Sequence, residues 1–203
     1  MSFVEQQREI AITENNTAQA DFLDFLDHLN PTVTDIDVRE PLSGDLDFTV
    51  LKECNFTNIT SLQFAPGRIT SLKNIPPGIS RILCGENYLI DVPELPDTLV
   101  ELDLHHNAIK TFERKLPDSL KELNISDNLF TSLENLPAGL EVLKCNTNQL
   151  RILDLAGIEN LRILETSNNP LLVVEHVPDT IQQFEMDNDV VTDINRLRAE
   201  GGE

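Results

Sequence analysis

A period of 20 or 21 residues runs through about two thirds of this chain and commits it to stacked coils. The pattern begins at Ile59, Ile79, Leu99, Leu120, Leu140, Leu161 and Ile181 and runs to Ile194. Each copy sets an apolar residue at its first position and, in most copies, again three, five, ten and thirteen residues on, with Asn at eight. In the copy from Leu120 these are Leu123, Ile125, Phe130 and Leu133, with Asn128. In the copy from Leu99 they are Leu102, Leu104, Ile109 and Phe112, with Asn107. The Asn gives way to Gly67 in the first copy and Asp189 in the last, as expected where a unit meets a cap or water.

The residue types follow from the stacking. Apolar residues at three and five alternate along a short strand, so both point inward. Strands stacked in parallel about 4.8 Å apart make one apolar column per position, which no single copy could bury alone. The Asn, where the chain leaves the strand, is expected to face inward. There its amide donates to and accepts from backbone groups of adjacent coils that would otherwise be buried unpaired. Pro76, Pro96, Pro117, Pro137 and Pro178, with Pro93, mark a return limb that is extended or polyproline-like, because proline fixes φ and lacks a donor.

This pattern, LxxLxLxxNxLxxL, resembles the leucine-rich repeat family. Its short length and LP-x-x-L rhythm are similar to the subclass in type III secreted bacterial effectors, and similar short arrays occur in large DNA viruses. The resemblance implies an α/β solenoid: a horseshoe of about seven short repeats with a parallel β-sheet on its concave face and an extended convex side.

Ahead of the repeats the sequence changes character. Ser2 and Glu5 have capping-box spacing, predicting a helix from Phe3 to about Ile12. A second helix is expected from Ala18 to Leu29, stopped by Asn30-Pro31. Its stripe of Phe22, Phe25, Leu26 and Leu29 suits a cap over the first repeat's leucines, or else a helix that docks a partner. Pro31 to Thr57 reads as irregular, with strand-like alternation in GDLDFTVL able to pair against the first repeat's edge. Residues 1–47 carry eleven acidic and two basic side chains, so the chain divides into an acidic N-terminal cap or docking arm (1–47), a solenoid (48–194) and a tail (195–203). The tail offers no cap, which leaves that end to a partner or to further chain.

A formal charge of −20 argues against nucleic acid and anionic membrane surfaces, which need clustered Lys and Arg. No apolar run has transmembrane length, and the first residues lack a signal peptide's regions, so a cytoplasmic setting (a host cell's, or a virion) is expected. Cys54, Cys84 and Cys145 form no cluster of the kind that caps extracellular repeats. Cys84 and Cys145 share one inward column three repeats apart, roughly 14 Å and beyond disulfide reach.

The outward positions of the strand are the second, fourth, sixth and seventh after the first residue of each copy. They make a polar, mostly acidic face, from which Arg81, Glu101, Asp103, His105, Glu122, Asp127, Lys144, Glu165 and Glu185 are the candidate partner-binding residues, with an apolar spot at Val142 and Ile163. A wide rigid surface of this kind suits a protein ligand, a basic one by charge, better than a small molecule. His105 and His106 beside Asp103 and Glu101 invite a metal reading. Adjacent strand residues point apart unless the chain is turning, so solvated histidines are expected there, with no metal and no other cofactor. Lys110, Arg114, Lys115 and Lys121 read as a solvated basic face on one return limb. No Ser-His-Asp set, phosphate-binding glycine loop or CxxC appears, so an enzyme is not expected. The expectation is a non-catalytic protein–protein interaction module using its concave face. The alternatives are a structural component of a large assembly, such as a viral capsid, held through its ends, and the repeat module of a secreted effector.

Overall fold

The computed structural model describes residues 3–171, 173–187 and 191–192. Ser2, Asp189 and the tail from 195 lie outside these described residues. Helices α1 (Phe3–Thr13) and α2 (Thr17–Asp27) lead into β1 (Asp35–Val38), β2 (Ser43–Asp47) and α3 (Thr49–Glu53). The array follows as β3 (Ser61–Phe64), β4 (Arg68–Lys73), β5 (Arg81–Leu83), β6 (Glu101–Asp103), β7 (Glu122–Asn124) and β8 (Val142–Lys144). It ends with β9 (Ile152–Asp154), β10 (Ile163–Glu165), β11 (Val173–Glu175), β12 (Gln183–Glu185) and β13 (Val191–Thr192).

One strand per coil builds an eight-stranded parallel sheet in the order β1-β3-β5-β6-β7-β8-β10-β12. Its register is the register of the repeat: Leu62, Ile82, Leu102, Leu123, Leu143 and Leu164 are successive Cα partners. None of the six is more than 1% exposed. Each such side chain contributes roughly 1.5–3 kcal/mol on burial, so one column alone outweighs most polar terms in the molecule. The return side is extended, as the prolines require, and near both ends it pairs into small parallel sheets, β2-β4 and β9-β11-β13. The Pro carbonyl at the end of a coil accepts the amide of the next coil's first residue: Leu99 from Pro96, Leu120 from Pro117 and Leu140 from Pro137, each at 3.1 Å. That three-residue step is the LP-x-x-L rhythm. The hydroxyl just before the repeat start also has a fixed task. Thr98, Ser119 and Thr180 donate to the carbonyls of Ile79, Leu99 and Leu161 one coil back.

The Asn ladder stands as its chemistry dictates. Asn128 Oδ1 accepts the Ile109 amide at 3.0 Å, while Nδ2 donates to the carbonyls of Leu104, Ile125 and Ser126. The same acceptance recurs for Asn87, Asn107, Asn148 and Asn169, each taking the amide of the residue at position ten in the preceding coil. At the first copy a Cβ on Gly67 would meet the Leu42 carbonyl oxygen at 2.8 Å, so close approach of the preceding coil excludes Asn there.

That preceding coil is the main departure from the sequence reading. Pro31–Thr57 is not irregular. β1 pairs with β3 and extends the main sheet, and β2, which takes in only the GDLD of GDLDFTVL, pairs with the return strand β4 of the first repeat, while Thr49–Leu51 of that stretch begin α3. Ile36, Val38 and Leu46 enter the core. α2 then covers the N-terminal end: Phe22, Leu23 and Leu26 are buried, and Phe22 packs edge-on against Phe48 with ring centroids 5.7 Å apart. Asn16 caps α2 by accepting the Gln19 amide. The cap reading of the apolar stripe therefore describes these contacts.

A second departure lies one residue before the ladder. Glu86, His106, Asp127, Thr147 and Asn168 all hold positive φ, between 52 and 59°. The chain must reverse there for the next residue's amide to turn inward. Asn and Asp tolerate this conformation, whereas β-branched Thr147 does so at a cost. Because Thr147 is exposed, Thr147→Asn is expected to raise stability by about 0.5–1 kcal/mol, read as a higher urea midpoint with an unchanged slope.

Cys84 and Cys145 are free and fully buried, and burial pushes both thiols up to about 12. Both stay protonated and inert at neutral pH. The half-buried Cys54 is raised too, chiefly by burial, with Asp27 and Glu53 adding to it. Alkylation without reductant should therefore label Cys84 and Cys145 only after denaturation, giving three labels in all. Fewer than three would mean a disulfide and a wrong register.

Candidate protein-binding face

The outer face of the main sheet carries two rows of side chains, one at each end of the short strands. One row runs Asp35, Ser61, Arg81, Glu101, Glu122, Val142, Ile163, Gln183. The other runs Asp37, Gln63, Leu83, Asp103, Asn124, Lys144, Glu165, Glu185. Seven carboxylates and two cations share the surface, so its field is negative. Arg81, Glu101, Asp103, Glu122, Lys144, Glu165 and Glu185 all lie on these strands, and Val142 and Ile163 are direct partners, giving the expected apolar spot. His105 follows β6 at the rim. Asp127 is not on the strand face: it is one of the positive-φ residues and stands exposed at the turn.

Several of these groups are held by one another. Arg81 Nε lies 2.6 Å from Glu101 Oε2, and that contact raises the guanidinium's proton affinity further. Lys144 Nζ pairs with Glu165 Oε1 at 3.0 Å, and Asn146 donates to the other oxygen at 3.3 Å. Asp103 takes His105 Nδ1 at 2.6 Å on one oxygen and Asn124 Nδ2 at 3.1 Å on the other. The Cε1 and Nδ1 atoms of the imidazole lie against Gly85, where a Cβ would collide with the ring. Gly85→Ala is therefore expected to displace His105 and loosen this triad with little effect on the core beneath, visible as an altered His105 ring resonance in NMR.

These pairings restrain several groups at the outward positions. Glu101 is not a free carboxylate facing water but half-buried against Arg81, whereas Glu122 is exposed. Asn124 also caps the Ser126 amide at 3.2 Å, so it does more than decorate the surface. The basic cluster is divided: Arg114 pairs with Glu94, Lys115 with Asp118 and Lys121 with Glu141, the last beside the strand rather than on the return limb. The residue missed by sequence reasoning is the apolar Leu83 within the face, which strand alternation alone could have found; Glu86, at an outward position of its copy, lies 3.7 Å from His105 Nε2.

Concavities among the described residues include an open groove of about 760 Å³ along the turn edge, lined by Pro41, Pro66, Gly67, Arg68, Tyr88 and His106 among others. A more apolar one of about 580 Å³ lies under α3. No helix among the described residues is long and apolar enough to cross a membrane.

Solved structures with this architecture include YopM from Yersinia enterocolitica WA-314, 29% identical, with a TM-score of 0.69 over 79% of this chain and 34% of that one. A leucine-rich effector protein from Yersinia pestis, also YopM, is 24% identical, with a TM-score of 0.67 over 79% of this chain and 49% of that one. The leucine-rich repeat domain of a Shigella effector is 21% identical, with a TM-score of 0.60 over 93% and 81%. No family model and no curated protein matches the sequence. The chain thus spans about a third to a half of the two YopM chains. Fold, repeats and these likenesses define a leucine-rich repeat solenoid, whose short repeats are similar to those of the bacterial effector YopM.

Proposed function

We propose that this chain is a non-catalytic binding module that holds a basic surface of a protein partner on the concave face of its sheet, in the manner of an effector's repeat domain working in a host cytoplasm. The observation that carries the proposal is the ordered acidic face. Carboxylates lie in two rows on a rigid parallel sheet, several already oriented by neighbours, so a partner meets a surface whose side chains have little freedom left to lose. The residues assigned to contact are Arg81, Glu101, Asp103, His105, Glu122, Lys144, Glu165 and Glu185, with Asp127 at the rim. Residues 1–47 serve as cap and opening coil rather than as the docking arm.

A charge-matched comparison tests this. Glu122→Lys with Glu185→Lys alters the sheet face at two exposed positions; Glu113→Lys with Glu134→Lys makes the same charge change on the return side. Against a partner recovered by affinity purification, the sheet pair should weaken binding by more than tenfold and the return pair by less than threefold. The sheet-pair loss should shrink as salt rises. Equal effects would refute the assigned face.

A second reading, a component of a larger assembly joined through its ends, draws on the last coil. There Ile181, Phe184 and Met186 are only half-buried, although the same columns are sealed in earlier coils. On that reading the charge changes at Glu122 and Glu185 leave binding normal, and substitutions of the half-buried Ile181, Phe184 and Met186, or in α2, do the damage.

A further inference from the structure

Among the described residues, one group of metal-ligating side chains converges, and it lies off the main sheet. Asp154 ends β9, Glu175 ends β11 directly opposite it, and His176 follows. One donor atom from each of the three lies within 4.8 Å of the other two. Consecutive strand residues normally point to opposite sides. His176, at φ 53°, is already turning, which brings its imidazole round to the carboxylates of both strands. Asp154 Oδ1 accepts the Ala156 amide at 2.9 Å, which orients that carboxylate from the backbone side, and it lies 2.7 Å from His176 Nδ1. The other histidine flanked by two carboxylates lacks this arrangement. His105 meets Asp103 at Nδ1 and Glu86 at Nε2, opposite corners of the ring, so those three cannot share one ion.

We propose that Asp154, Glu175 and His176 form a divalent-cation site suited to Zn²⁺, joining two successive coils on the return side. One imidazole and two carboxylates without a thiol match a borderline cation, with water completing a tetrahedron. Donors around zinc stand roughly 3.4 Å apart at bonds of about 2.1 Å. The Nδ1–Oδ1 pair therefore opens a little and the third donor closes in. Asp154 and His176 are exposed and Glu175 is half-exposed, so these shifts meet no packed neighbour in the core.

Zn²⁺ titration of the full chain against a chromophoric zinc chelator tests the site. Two variants remove ligands: His176→Asn, which keeps a residue tolerant of positive φ, and Asp154→Asn with Glu175→Gln. A control, His105→Asn with His106→Asn, removes the other turn-edge histidines. The wild type and the control should bind one equivalent, and both ligand variants should lose at least tenfold in affinity. The thermal midpoint should rise with Zn²⁺ in the wild type and control alone, while zinc-free melts confirm that every variant folds. Equal zinc affinity in the wild type and the ligand variants, or loss in the control instead, would overturn the assignment.

Discussion

Phe22→Ala is expected to cost about 3–5 kcal/mol and to loosen the whole N-terminal end. Phe22 is fully buried and completes a triangle of rings with Phe48 and Phe64, at centroid distances of 5.7 and 6.3 Å from them. Removing a ring from such a cluster loses both its burial and the contacts its neighbours made with it. The fold supplies no substitute, because α2 packs along β2 of the opening coil, on the side where another coil would otherwise lie. Urea denaturation by circular dichroism should show the loss in full. A cost below about 1 kcal/mol would mean that α2 is an appended arm and not a cap.

Asn128→Leu is the second large effect, at about 2–3 kcal/mol, and its size can be argued group by group. The Leu104 and Ile125 carbonyls keep Asn107 and Asn148 as donors, and the Ser126 carbonyl keeps the His106 amide. The Ile109 amide loses Asn128 Oδ1, and a stranded buried N–H costs about 1–3 kcal/mol, with the weakened carbonyl bonds adding to it. Asn124→Ala loses its bonds to Asp103 and the Ser126 amide in a half-exposed setting, so about 0.5–1 kcal/mol is expected. The order of the two substitutions tests the ladder. Equal losses would contradict it.

The parts legible in the sequence are those that every coil repeats with one chemistry. Leu or Ile at the strand centre and Asn at the turn recur because each coil presents the same orphaned backbone groups to its neighbour. The positive-φ residue before the ladder was not legible, because Glu86, His106, Asp127, Thr147 and Asn168 share a conformation and no chemistry. The opening coil was missed for a related reason. Val33, Ile36 and Val38 have the strand spacing, but eight residues after Val33 stands Pro41 where the Asn would be. On the outer sheet face the charged rows follow the strand alternation. It could not show that Arg81 and Lys144 are spent on Glu101 and Glu165, since pairing depends on side-chain reach across strands. The Asp154, Glu175 and His176 cluster was invisible because it needs both the return-side register and the turn at His176.

The most direct measurement of the central claim is photo-crosslinking with the partner bound. A photoreactive phenylalanine analogue is placed in turn at Glu122 and Ile163 on the sheet face, at Glu113 and Glu134 on the return side, and at Ile12 on α1. Partner adducts are expected from Glu122 and Ile163 and none from the other three. Adducts from Glu113, Glu134 or Ile12, with the sheet positions silent, would contradict that claim.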